Sequence, residues 1–277
     1  MPMQVDTLTK RLLFNTVRVD TVLEDGTHGS GTGFVVAHHG PHGQRRFIVT
    51  NRHLVEGVRS GGLVFTQAHE GQPQIGTRFE LEIEEFPHAW FLDPNSDIDL
   101  AIVPMAPLER AAKEQGVQLY HHDIDTALVP DPTTLKAFDA LEEVLFVGYP
   151  NGVWDHVNLL PILRRGTTAT PPGMDFEGKA EFLIDAAVYP GSSGSPVFLY
   201  RQEGGSARGA ARAPLYFLGV IAAVFYREEE NQLVAGPVPA NQNSTLVRQS
   251  EMIDLGLVIK SSAVVALIEE YCRRWRE

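Results

Sequence analysis

The chain predicts an all-β protein in two halves, with a cleft between them and a single helix at its end. Three observations carry that reading. Short runs rich in apolar and β-branched residues recur along most of the length, separated by turn residues. These runs fall into two groups. Between the groups, residues 107–140 are mixed in pattern and read as a crossing segment. With 277 residues, 43% of them hydrophobic and 21% charged, the chain can bury a core in each half.

The first group of strand-like runs is "LLFNTVRV", "GTGFVVA", "RRFIVTN", "RFELEIEEF" and "DLAIVPM", which sets an N-terminal β-domain at residues 10–125. The crossing segment carries a helix-like stretch, "LERAAKEQG". The second group is "EEVLFVGYP", "NLLPILRRGTTAT", "AEFLIDAAV", "SPVFLY", "LYFLGVIAAVFY" and "DLGLVIK", a second β-domain at residues 126–259. The end, residues 260–277, reads as an amphipathic helix. Ser261 or Ser262 can cap it, and Val264, Ile268, Tyr271 and Trp275 line one face at helical spacing.

Three segments read as loops. "HHGPHG" (38–43) is a hairpin tip, because no further ligand at metal-binding spacing accompanies its histidines. "RQEGGSARGAARAP" (201–214) is a polar hairpin loop, and residues 227–251 form a long surface excursion.

Composition removes several functions. A net charge of -12 argues against nucleic acid as the main partner, since phosphate binding needs a basic face. The single cysteine, Cys272, forbids an internal disulfide and fits a reducing compartment. The N-terminal residues lack a secretory apolar run, and no stretch is apolar enough to span a membrane, so a cytoplasmic protein is expected.

The chemistry concentrates in "PGSSGSPVF", residues 190–198, a tight loop between two apolar runs. A glycine two residues before a serine lets the backbone aim two N–H groups at one point, where they can bind an oxyanion. Ser193 is therefore read as the nucleophile, with the Gly191 and Ser193 N–H groups as the oxyanion hole. Ser192 points elsewhere and Ser195 enters the next strand. A serine nucleophile needs a base, and the base an orienting carboxylate. His53 follows the run "FIVTN", and Asp99 opens "DLAIVP", with Asp97 as a competitor for the acid. The α/β-hydrolase alternative requires another residue order and a Gly-x-Ser-x-Gly elbow, which "GSSGS" does not supply.

Five motifs, "GSGTGFVV", "VTNRHLV", "SDIDLAIV", "GYP" and "PGSSGSPVF", stand in the order and spacing of one family. The chain resembles the trypsin/chymotrypsin family, and within it the disulfide-free bacterial branch that includes high-temperature-requirement proteases. The likeness covers residues 10–275. It implies two six-stranded antiparallel β-barrels of chymotrypsin-like form, a site in the cleft between them and a C-terminal α-helix; since the sequence ends at that helix, no peptide-binding domain is expected after it. It favours Asp99 over Asp97, because the family's acid directly precedes the Leu-Ala of its strand.

The resemblance also places a specificity pocket at Ala187, Ala222, Ala223 and Val224. An alanine at 187 leaves a basic substrate side chain unpaired, so a small or medium apolar residue is expected at the cleavage position. In zymogen-activated relatives a freed N-terminus pairs with an acidic residue just before the nucleophile. Ser192 stands there in this chain, so that switch is not expected. Ala222 replaces a serine that often supports the acid. The reading is a serine endopeptidase acting on protein or peptide substrates, without metal or organic cofactor, and with room for a regulatory protein partner. Its rivals are a catalytically silent scaffold that binds a protein partner, and an esterase using the same triad.

Overall fold

A computed structural model describes residues 3–41, 43–150, 155, 157–201, 215–232 and 246–275. Two β-sheet systems account for most of them. The first comprises β1 (Thr16–Leu23), β2 (His28–Gly40), β3 (Gly43–Thr50), β4 (Val58–His69) and β5 (Gln72–Ile83). The short strands β6 (Phe91–Leu92), β7 (Ala101–Pro104), β8 (Leu119–Tyr120) and β9 (Ile124–Asp125) complete it. The second comprises β10 (Glu143–Gly148), β11 (Ile162–Thr168), β12 (Glu181–Asp185), β13 (Pro196–Tyr200), β14 (Leu215–Gln232) and β15 (Leu246–Lys260). Four helices accompany them: α1 (Leu8–Leu12), α2 (Met105–Glu114), α3 (Pro132–Lys136) and α4 (Ser261–Arg274).

The second system closes as a six-stranded barrel in the order β10-β11-β12-β15-β14-β13. The first is a nine-stranded sheet whose path runs β5-β4-β1-β2-β3-β7-β6, with β8 on β4 and β9 on β2. Its end strands, β5 and β6, do not pair with each other among the described residues. A 3-10 turn, Phe86–Ala89, lies between them, and Phe86 and Trp90 meet edge to face at 5.7 Å. Both rings are buried in the core cluster of this sheet with Val19, Leu63, Leu81 and Ala101.

β10 and β13 read as continuous apolar runs because both of their faces are buried. In β10, Val144 and Phe146 point into the barrel, joining Phe182, Ile184, Val197, Ile221 and Val258. Leu145 and Val147 point the other way, into a second cluster shared with Phe34, Phe47 and Val49 of the first sheet and with Val264, Leu267 and Ile268 of α4. Each fully buried aromatic or branched side chain contributes about 1.5–3 kcal/mol. This shared cluster therefore fixes how the halves and the helix meet, and the site lies along their seam.

Several expectations are altered in detail. β4 runs through "VRSGGLVFTQAH", where Gly61 and Gly62 had hidden a strand. The hairpin tip at "HHGPHG" is present, since β2 ends at Gly40 and β3 begins at Gly43, while His42 lies outside the described residues. The loop expected at 201–214 lies outside them from residue 202 on. The excursion at 227–251 is instead paired ribbon at both ends, with Arg227 opposite Glu251 and Gln232 opposite Leu246; residues 233–245 lie outside the described set. Neither Ser261 nor Ser262 caps α4: Lys260 holds that position without a side-chain cap, and its ammonium pairs with Asp175 at 2.5 Å. Among the described residues, no helix is long and apolar enough to cross a membrane.

Tyr149 is buried where β10 runs out towards the seam, and burial pushes its phenol up from 10.0 to about 12. The fold keeps the neutral phenol, whereas the unfolded chain ionises near 10.0. Its contribution is therefore complete below that value and is lost as pH rises towards about 12. Denaturant titrations should show Tyr149→Phe losing about 2 kcal/mol less stability than the parent between about pH 9 and pH 11.5. Equal losses in the two proteins would refute this.

Candidate active site

His53 and Asp99 come together at the end of the first sheet. His53 sits in the 3-10 turn Arg52–Leu54 that follows β3, and Asp99 precedes β7, the strand paired with β3. Adjacent strands thus deliver both side chains to one edge. The His53 backbone N–H donates to Asp99 Oδ1 at 2.9 Å, and His53 Nδ1 lies 2.6 Å from Asp99 Oδ2. The buried Asn51 fixes the acid's main chain by donating its amide to the Asp99 carbonyl at 2.9 Å. Asp97 is exposed, and its own N–H is held by Asn95, so geometry pairs the ring with Asp99 alone.

An ionised carboxylate only accepts, so Nδ1 carries the shared proton and the Nε2 lone pair is left for a second partner. The His53 and Asp99 side chains are 47% and 30% exposed, a setting in which ion pairs contribute about 0–1 kcal/mol. The pair orients the ring rather than holding the fold together.

The serine loop makes two successive turns. Ser192 N–H donates to Tyr189 O at 3.0 Å, and Ser195 N–H donates to Ser192 O at 3.0 Å. Each turn has a glycine in third position with positive φ, Gly191 at 87° and Gly194 at 83°. That is the conformation a type II turn reserves for glycine. A Cβ on Gly194 would also lie 1.8 Å from the Thr32 carbonyl oxygen. Among the described residues, the N–H groups of Gly191 and Ser193 have no acceptor, whereas that of Gly194 donates to Ile221 O at 2.8 Å. No hydrogen bond joins Ser193 Oγ to His53 among the described residues.

Thr32, from "GSGT" in β2, ties this loop to the first sheet, and sequence reasoning had given it no role. Its N–H donates to Ser193 O at 3.0 Å and its hydroxyl donates to Gly191 O at 3.1 Å. The same hydroxyl accepts from Tyr149 N–H at 3.0 Å, and the Thr32 carbonyl accepts from Thr50 Oγ1 at 2.7 Å. All its polar groups are used, and the residue is fully buried. Its signal was its place inside a motif; its chemistry could not be read there.

The four residues expected to form a specificity pocket are spread between loop and strand. The Gly194–Ile221 bond and its return, Ile221 N–H to Ser195 O at 3.0 Å, set β14 beside the loop. Ala222 is buried in the shared cluster with Leu100, Ala223 and Ala187 are exposed, and Val224 is half-buried. Asp99 receives no hydroxyl support from Ala222; both hydrogen bonds to its carboxylate come from His53.

Residues 31–204 match the sequence profile of the trypsin-like peptidase domain, which covers more than half of the chain. The chain belongs to that family. No curated protein matches it. Among solved structures it is similar to the HtrA-type protease AlgW bound to a tripeptide, at 14% identity and a TM-score of 0.48. That match covers 94% of this chain and 61% of the other, so this chain spans less than two thirds of AlgW's length. It is also similar to Rv3671c from M. tuberculosis H37Rv, an inactive-form serine-to-alanine mutant, at 15% identity and a TM-score of 0.43. There the match covers 98% of this chain and 94% of that one. A thermostable serine protease, AL20, from an extremophilic microorganism gives 14% identity and a TM-score of 0.44, over 91% of this chain and 94% of its own.

Thr32→Val keeps the shape of the side chain but strands the Tyr149 N–H and the Gly191 carbonyl. Leaving two buried polar groups unpaired should cost about 2–4 kcal/mol. Thermal melts should show a lower Tm, and an unchanged Tm would remove Thr32 from this role.

Proposed function

We propose that the protein is a serine endopeptidase in which Ser193, His53 and Asp99 form the catalytic triad. The observation that carries the reading is the 2.6 Å contact between His53 Nδ1 and Asp99 Oδ2, made beside a loop with two unpaired N–H groups flanking a serine. Ser193 Oγ attacks the scissile carbonyl carbon while its proton passes to His53 Nε2. The N–H groups of Gly191 and Ser193 receive the negative oxygen of the tetrahedral intermediate. The C–N bond then breaks as His53 returns the proton to the leaving amine, and water repeats the sequence on the acyl-enzyme. Asp99 holds the ring in its tautomer and stabilises its charged form. The Ser193–His53 hydrogen bond is the element that substrate binding completes, since such contacts tighten in the Michaelis complex.

Ala187, Ala222, Ala223 and Val224 form the specificity pocket in this reading, and it takes a small or medium apolar side chain. The exposed Tyr189 and Phe225, beside Ala187 and Val224 in sequence, extend an apolar surface for the substrate. A guanidinium, that of Arg164, already bonds the Ala187 carbonyl, which further disfavours a substrate cation there. A silent scaffold binding a protein partner is the second reading, and the missing Ser193–His53 hydrogen bond favours it.

A fluorophosphonate probe separates the two. Labelling lost in Ser193→Ala supports the peptidase, and a parent protein that stays unlabelled with and without cell extract supports the scaffold. Asp99→Asn should lower kcat by about ten thousandfold, while Asp97→Asn stays within about threefold of the parent. Equal losses from the two would reject Asp99 as the acid. A peptide-library profile led by Arg or Lys at the cleavage position would reject the apolar pocket.

A further inference from the structure

The nucleophile loop is held from two sides, and the second hold has no place in the mechanism above. Thr32 grips it from the first sheet; from the barrel side it is met by Arg164 of β11. Arg164 Nη1 donates to Ala187 O at 2.5 Å, and Nη2 donates to Ser192 Oγ at 2.6 Å. One planar guanidinium therefore spans from Ala187, just after β12, to Ser192, the neighbour of Ser193. Two rings position that plane: Phe146 at 4.6 Å and Tyr189, itself part of the loop, at 5.7 Å.

The setting is a costly one for a cation. Among the described residues Arg164 pairs with no carboxylate; its partners are neutral oxygens and ring faces. Its Nε–H is buried without an acceptor, and burial pulls its pKa down. A charge so placed is a poor source of stability, because its desolvation is not repaid by a counter-charge. Ser192, on the other side, is fully buried, and Arg164 is its hydroxyl's one partner among the described residues. The arrangement suits a fork that fixes geometry, which a lysine could not reproduce.

We infer that Arg164 is a positioning residue: an internal cation that keeps the loop in the form where the Gly191 and Ser193 N–H groups are free to face a substrate. The inference rests on reading Ser193 as the nucleophile. It answers the question raised by Ser192, because a loop locked by the chain's own arginine needs no cleaved terminus to order it.

The test uses the full chain and two kinds of readout. In hydrogen exchange, Arg164→Ala should speed the Ser192, Gly194 and Ser195 amides by about tenfold or more, with β12 and β13 unchanged. Fluorophosphonate labelling and kcat should fall by about a hundredfold, as when an oxyanion donor is lost, while KM moves less than about threefold. Guanidinium chloride at about 20 mM should restore at least a tenth of the lost rate to Arg164→Ala and leave the parent unaffected. Loop exchange and labelling both within about threefold of the parent would overturn the proposal, as would loss of rate that guanidinium does not restore. If Arg164→Ala does not fold, Ser192→Ala decides: faster loop exchange at unchanged Tm supports the clamp, and unchanged exchange rejects it. Because loop exchange does not depend on catalysis, a parent that fails to label would sink the triad and still leave the clamp decided.

Discussion

The structure turns on Thr32. One side chain and its peptide groups meet Gly191, Ser193, Tyr149 and Thr50, so the first sheet, the end of β10 and the serine loop share a single buried junction. Such groups have no water to fall back on, and each bond is obligatory. The apolar cluster around Phe34, Val147, Phe217 and Ile259 supplies the driving force that brings the halves together. The hydrogen bonds at Thr32 decide the register at which they stop. With that register set, Gly194 fits against the Thr32 carbonyl, and no other residue could.

The two holds on the loop are of different kinds. Thr32 offers neutral, saturated hydrogen bonds at the seam, where packing and polar satisfaction agree. Arg164 offers a half-buried charge facing neutral acceptors, where they do not. Proteins keep such locally unfavourable arrangements where geometry matters more than stability. The His53–Asp99 pair makes the same point at the cleft's surface, since its exposure makes it weak as an ion pair and leaves orientation as its main effect.

Much of this was legible beforehand. Continuous apolar runs marked strands buried on both faces, such as β10 and β13, alternation marked half-buried ones such as β5, and the five motifs marked His53, Asp99 and the serine loop by order and spacing. What escaped reading was relational. Gly61 and Gly62 look like a turn until the Phe86 ring is seen where a side chain on Gly61 would lie, and the Leu81 backbone where one on Gly62 would. Lys260 looks like the approach to a helix cap, yet it is a buried cation paired across the surface with Asp175. Arg164, in "LRRG", resembles any strand arginine with its head in water; only folding brings Ala187 and Ser192 to it. The nine-stranded form of the first sheet depends on which short segments pair, and two-residue strands such as β6 leave no periodicity to detect.

The seam at Thr32 also bears on how the chain survives its own chemistry. In the proposed function the protein is surrounded by polypeptides that include copies of itself, and the copies most open to attack are those partly unfolded. Here the loop bearing Ser193 takes its shape from both sheets at once, so a copy whose halves have parted loses the geometry around that serine together with its fold. Damage and disarmament become one event: a failing molecule can be consumed by its neighbours, but it cannot consume them.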